Sequence, residues 1–234
     1  MKKFLFAALI LSVVPATASA ADATRNFGVS GFDRIRVDGD YKVMLTVGAP
    51  PFARAKGTIR ALDPVDIVVE GRTLVVRSKN SASWGGYPGE SAGPVEVTIG
   101  THELTAAFVN GAGSLTINKV RGLKFEASAQ GAGAIAIDRV EVDQFQLGLA
   151  GAASAKLSGT AIKLTATVRG SSSLDGEGLV VKDAVIGAQG PAIVKLTATG
   201  TAKVDAIGVA AVTLTGKPSC IVTTKGSASV SGCR

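Results

Sequence analysis

The stretch VNGAGSLTINKVRGLKFEASAQGAGAIAIDRV, residues 109–140, states one pattern twice: NGAGSLTINKV is followed 20 residues later by QGAGAIAIDRV. Each copy opens on two glycines flanking an alanine, continues as alternating apolar residues and closes on a short polar turn. The pattern extends outward from there. Gly111, Gly131, Gly151, Gly170 and Gly190 recur at intervals of 20, 20, 19 and 20, Ala210 holds the next place, and Gly226 opens a shorter last unit. Four residues after these markers stand Leu115, Ile135, Ala155, Leu174, Val194, Leu214 and Val230. Six residues before them stand Thr105, Phe125, Phe145, Leu164, Ala184, Val204 and Cys220, and four before, Ala107, Ala127, Leu147, Ala166, Ile186, Ala206 and Val222.

These columns are mostly apolar and the positions between them mostly polar. Each unit therefore reads as two strands of period 2, joined by a turn, with one face inward. A fixed period near 20 is the signature of a solenoid. One such strand pair cannot bury its own apolar face, but coils stacked at ~4.8 Å share a core and satisfy each other's backbone groups. The glycines mark the corner, and the many alanines in the columns imply a thin core. Leucine-rich repeats have a similar period, but their Leu/Asn signature is missing and no segment shows helical spacing. The fold class is all-β, a parallel β-solenoid with coils of about 20 residues.

Before residue 95 or so the chain is β-rich but less regular. Ile35 and Val37 alternate with arginines, and Tyr41, Val43, Leu45 and Val47 continue the alternation. Ile67–Val69 and Leu74–Val76 flank Glu70-Gly71-Arg72-Thr73, a hairpin signal. The stretch KNSASWGGYPGESAGP, residues 79–94, is loop by composition. No linker separates the two parts, so residues 21–234 are expected to form a single domain, with regular coils from about 95.

The first 20 residues stand apart. Lys2 and Lys3 precede the apolar run Phe4–Val14, and Ala18-Ser19-Ala20 closes the segment, the pattern of a secretory signal peptide. The run is too short for the ~20 residues that span a bilayer, and no transmembrane segment is expected in the mature chain. An exported protein follows, in the periplasm or at the cell surface. The net charge is +7, of which the leader lysines contribute two. The charge is dispersed, with no basic run interleaved with aromatics, which argues against a nucleic-acid groove. Anionic surface polymers remain compatible with it. Cys220 and Cys233 are the only cysteines. In an oxidising compartment an even count points to a disulfide, here a structural cap on the last coil.

The ordered set FDRIRVDGDYKVMLTVG, VVEGRTLVVRS and VEVTIGTHELTAAFVNGAGSLTI, followed by further Gly-Ala-Gly coils, resembles the family called putative auto-transporter adhesin, head GIN domain. The resemblance covers roughly residues 30–216 and is best at Gly111-Ala112-Gly113-Ser114 and Gly131-Ala132-Gly133-Ala134. It implies a right-handed β-solenoid exposed outside the bacterial cytoplasm, and it brings no catalytic residues with it. An auto-transporter also needs barrel strands of ~9–11 alternating residues. No such series follows the coils, so attachment is expected to come from elsewhere.

Chemistry is sparsely signalled. Glycoside hydrolysis needs two carboxyls about 5–10 Å apart. In the column seven after the markers, Asp138 and Glu177 lie two coils apart, roughly 9.6 Å, but both stand at a turn where solvated polar residues are ordinary. His102 has no partner motif. The glycine corners match neither a phosphate loop nor a calcium-binding nonapeptide; neither cofactor nor metal is expected. Trp84 and Tyr87, in the 79–94 loop, are the candidate ligand contacts, able to stack on a sugar ring or a partner's side chain. The reading is a non-enzymatic binding, adhesion or envelope-structural module, with a cell-surface glycan or an envelope protein as partner. The alternative is a β-helix-type polysaccharide lyase or hydrolase.

Overall fold

In the computed structural model, which describes residues 22–79 and 93–234, the repeat units become parallel strands stacked on one another. The chain runs through β1 (Ala23–Phe27), β2 (Arg34–Asp38), β3 (Lys42–Val47), β4 (Phe52–Gly57), the helical turn α1 (Ile59–Leu62), β5 (Val65–Glu70), β6 (Thr73–Ser78), β7 (Glu96–Thr101), β8 (Ala106–Gly111) and β9 (Ser114–Ile117). The long coil strands follow: β10 (Val120–Gly131), β11 (Ala134–Gly151), β12 (Ser154–Gly170), β13 (Ser173–Gln189) and β14 (Ile193–Gly208), then the short β15 (Ala211–Thr215), β16 (Ser219–Gly226) and β17 (Ser229–Ser231). All 17 strands join one sheet, wound into a β-solenoid of about six turns.

The columns read from the sequence are ladder partners. Phe125 lies opposite Phe145, Phe145 opposite Leu164, and Leu164 opposite Ala184. The two rings meet edge to face with centroids 5.5 Å apart, and Phe125, Phe145 and Leu164 are fully buried. At the corners each glycine stacks on the one before. Gly151 has φ +91°, and a Cβ there would fall 2.7 Å from the carbonyl oxygen of Gly131. Both the backbone angle and the close approach therefore demand glycine.

Three features depart from the sequence reading. First, the unit after Gly190 is two residues short. Gly190 donates its N–H to Ile207 O (3.0 Å), and the next corner is Gly208, which pairs with Gly226, not Ala210. The column partners become Val212 in place of Leu214 and Ala202 in place of Val204, while Val204 takes the place given to Ala206. A two-residue deletion preserves which side chains face inward, so the binary pattern cannot reveal it. Second, each coil has a third inward run. β11 continues unbroken from Ala134 to Gly151, and Val140 and Val142 are buried within the segment assigned to a turn, as are Leu179 and Val181 in β13. In β11 two valines set among Arg139, Glu141 and Asp143 are too short an alternation to stand out.

Third, the coils begin earlier than residue 95, and out of chain order. β2 pairs in parallel with β6 on one side and β8 on the other, and β3 likewise with β7 and β9. The coil 34–47 is thus held between the later segments 73–101 and 106–117. Its corner is Gly39, whose N–H bonds to Asn110 O at 2.9 Å. The hairpin expected around Gly71 is present, with Glu70 opposite Thr73 in the antiparallel β5–β6 pair. Beyond β7 the sheet continues antiparallel through β4 and β1. No helix among the described residues is long and apolar enough to cross a membrane.

Candidate functional site

The strand segment leading into each corner presents an outward column five residues before the glycine. In register it reads Arg34, Ala106, Glu126, Gln146, Thr165, Val185, Lys203 and Ile221. Three grooves lie along this one face. The first, about 390 Å³, includes Arg34, Arg72, Phe108, Lys124 and Glu126. The second, about 260 Å³, shares Glu126 and adds Ser128, Gln146, Gly148, Thr165 and Thr167. The third, about 430 Å³, is bordered by Lys163, Asp183, Val185, Thr201, Lys203 and Ile221. Their common column aligns them along the solenoid axis as a trough.

Two outward glycines stand beside this column, Gly148 lining the second groove and Gly187 lying outside the three. Gly148 and Gly187 occupy the neighbouring column, opposite Ser128 and Thr167 respectively. Neither has a positive φ, a Cβ on Gly148 would meet only Ser128 Cβ at 3.5 Å, and one on Gly187 nothing within 4 Å. The backbone does not require glycine at either place. Unlike the corner glycines, these two leave space, and a glycine inside a strand commonly marks close approach by a ligand or another backbone.

The chemistry along the trough is graded. Its middle carries Ser128, Gln146, Thr165 and Thr167, hydroxyls and an amide, with Glu126 as its one charged side chain. Cations stand at both ends, Arg34 and Lys124 at one, Lys163 and Lys203 at the other. Within the third groove the Asp183 carboxylate accepts the Thr201 hydroxyl at 2.6 Å and the Thr201 N–H at 3.2 Å. These bonds hold its carboxyl below the usual range, the hydroxyl bond being the larger cause.

At the opening of the trough a polar clip joins three stacked segments. Asp33 sits at the inward position that Phe125 and Phe145 fill farther along, and its side chain is only 6% exposed. Arg72 grips it with two bonds, Nε to Oδ1 at 3.0 Å and NH2 to Oδ2 at 2.6 Å, and the Thr105 hydroxyl donates to Oδ2 at 3.0 Å. A fork of this kind satisfies a carboxylate fully. The geometry is that of a fastening: Arg72 precedes β6, Asp33 precedes β2 and Thr105 precedes β8, the three strands of the interleaved region.

The residues singled out by sequence fare differently. Trp84 and Tyr87 lie outside the described residues. Cys220 and Cys233 are disulfide-bonded, and the five corner glycines stack as expected. Glu177 faces Lys195 on the next coil, Nζ to Oε1 3.4 Å, while Asp138 is exposed; neither lines any of the three grooves. His102 is exposed beside Asp33 and Arg72. No three His, Cys, Asp or Glu side chains among the described residues gather as a metal site would require. The trough itself escaped the sequence reading. Its signal was an outward glycine three residues before the corner, in Gln146-Leu147-Gly148 and again in Val185-Ile186-Gly187.

Comparison with known proteins agrees with this architecture. Residues 31–218 match the sequence model of the family described as putative auto-transporter adhesin, head GIN domain. No curated protein matches the chain in sequence. Among crystal structures, one described as a putative adhesin from Bacteroides fragilis is 18% identical, with a TM-score of 0.79 over 91% of this chain and 97% of that one. A protein from Parabacteroides distasonis described as a putative lipid binding protein is also 18% identical, with a TM-score of 0.70 over 91% and 97%. A putative adhesin from Parabacteroides merdae is 14% identical, with a TM-score of 0.66 over 91% and 96%. At these identities the likeness establishes the shared fold.

Proposed function

The chain belongs to the putative auto-transporter adhesin, head GIN domain family, and from that premise we propose that it is an exported, non-enzymatic adhesion module whose trough holds an extended cell-surface glycan. The observation that carries this reading is the trough itself, three grooves aligned on one column, the second kept open by Gly148 where the backbone has no need of glycine. An extended polymer is the ligand shape that such a run accommodates. The middle, with its hydroxyls, its amide and the single carboxylate of Glu126, suits hydroxyl-rich sugar units, and the cations at both ends suit scattered acidic substituents, which a positive surface also attracts at range. Adhesion in the family and the adhesin descriptions of the structural neighbours support the same class of function.

Export rests on the leader-like residues 1–20, and a single domain spanning 21–234 on the lack of a linker. Trp84 and Tyr87, between β6 and β7 in the sequence, are a second place for a sugar ring to stack. The deciding experiment is a glycan-array screen of the purified chain beside Gly148→Trp, which fills the middle of the trough, and the double variant Trp84→Ala/Tyr87→Ala. The proposal expects an array signal that Gly148→Trp abolishes. No glycan bound, or binding untouched by Gly148→Trp, would overturn it. Loss of binding in the loop variant alone would move the site to the aromatic pair.

A further inference from the structure

The two ends of the solenoid are finished differently. At the amino-terminal end antiparallel strands continue the sheet beyond the first coil: β5 lies outside β6, and β4 and β1 lie outside β7. At the other end, among the described residues, β16 pairs only with β14 and β17 only with β15. The inward column shows the consequence. Ile186 and Val204 are 1% exposed, but Val222, next in that column, is 42% exposed, and its neighbour Ile221 is 70% exposed. The chain ties down only the start of this edge, through the Cys220–Cys233 bridge and the Arg234 N–H on Pro218 O at 3.1 Å. From Ile221 to Gly226 the edge has apolar surface beneath it and, among the described residues, no neighbouring strand beyond it.

The charge around this edge is mostly positive, the nearest carboxylate being Asp205, opposite Thr223 on the adjoining strand. From Ala206 to Arg234 the sequence holds Lys217, Lys225 and Arg234 and no acidic side chain. Pairing two such edges would gather Lys217, Lys225 and Arg234 of both copies along one seam, and like charges brought together across strands destabilise pairing. Lysines on an exposed edge are a known defence against such self-association. The same cations favour an anionic occupant. The occupant must also offer backbone groups to an open strand and side chains to Val222, which an extended peptide does and a sugar or a lipid headgroup does not.

We propose that the β16 edge is a docking site for an extended acidic segment of a partner protein, added to the sheet as one more strand. Main-chain hydrogen bonds to β16 supply affinity, and alternate side chains of the peptide supply specificity. One set covers Val222, and carboxylates of the other set meet Lys217, Lys225 and Arg234. The mode differs from that of the trough, since it uses the end of the solenoid, and the two places meet only at the third groove, which Ile221 borders.

Fluorescence anisotropy with the purified chain and three labelled octapeptides tests it: alternating Glu-Val, alternating Lys-Val, and the Glu-Val peptide N-methylated at every second residue. The Glu-Val peptide should bind, weakening as salt rises, and neither of the others should. In Lys217→Glu/Lys225→Glu/Arg234→Glu, with an unchanged thermal transition, binding should fall by about tenfold or more. Gly148→Trp should leave it unaltered, which separates this site from the trough. Equal binding of the N-methylated peptide would reduce the interaction to charge alone and overturn strand addition. Failure of the Glu-Val peptide to bind would overturn the proposal outright, as would sedimentation showing that the edge is already taken by a second copy of the chain.

Discussion

Replacing Phe145 with alanine asks how rigid the stack is. The ring is 1% exposed, packed edge to face on Phe125 and flanked on the next coil by Leu164. A buried Phe→Ala change costs ~3–5 kcal/mol, depending on how far the surroundings collapse into the cavity. Here the strands on both sides are held by continuous backbone ladders at ~4.8 Å, so they cannot move in to fill the space. The cost should therefore lie in the upper part of that range, ~4–5 kcal/mol. For a domain of this size each kcal/mol moves the midpoint by about 2–4 °C, which places the fall at roughly 8–20 °C. Thermal unfolding followed by circular dichroism measures it, with Phe145→Leu losing under ~1.5 kcal/mol and Ile162→Ala, whose side chain is largely exposed, changing stability by no more than ~0.5 kcal/mol. An unchanged midpoint in Phe145→Ala would refute the stacked column.

Gly151→Ala combines a left-handed backbone angle with the approach to Gly131 O, and should cost about 2–4 kcal/mol while Gly148→Ala, which meets no obstacle, stays within about 0.5 kcal/mol; chemical denaturation of the two variants checks the contrast. Removing the disulfide with Cys220→Ser/Cys233→Ser takes away up to ~3 kcal/mol by the loop-entropy argument, and hydrogen exchange should show the loss in β16 and β17 and not in β11 or β12. Because the folded Asp183 carboxyl titrates below its ordinary range, its contribution to stability is present above the ordinary carboxylate range and is lost as pH falls through the lowered value. NMR titration of Asp183 should show that depressed midpoint, and Thr201→Val should bring it back up, since the hydroxyl bond is the main cause.

The repeat was legible because inward columns such as Phe125, Phe145 and Leu164 recur near one spacing, and glycine at the corner cannot be exchanged for anything with a Cβ. Two things were hidden for physical reasons. The deletion after Gly190 removes two residues and so leaves the inward and outward sets unchanged, which made Ala210 look like a corner although Gly208 is the corner. The first coil was hidden by distance along the chain: Asp38 meets Asn110, Oδ1 to Nδ2 2.8 Å, across a separation of 72 residues, and no periodicity near 20 connects such positions. The trough fell between these cases. Gly148 and Gly187 are visible in the sequence, but only the backbone angles and the open space above them distinguish room for a ligand from the demands of a turn.

The column that aligns the three grooves runs from Arg34 to Ile221 only if the coil 34–47 lies between segments 73–101 and 106–117, so that interleaving bears the weight of the functional argument. It is tested most directly by methyl–methyl nuclear Overhauser effects among Val37, Val76 and Val109, all fully buried. Val37 is the ladder partner of both Val76 and Val109, whereas those two are separated by two strand spacings, roughly 9.6 Å. The account predicts strong Val37–Val76 and Val37–Val109 cross-peaks and none between Val76 and Val109. A strong Val76–Val109 cross-peak with none from Val109 to Val37 would place the coils in simple chain order and contradict it.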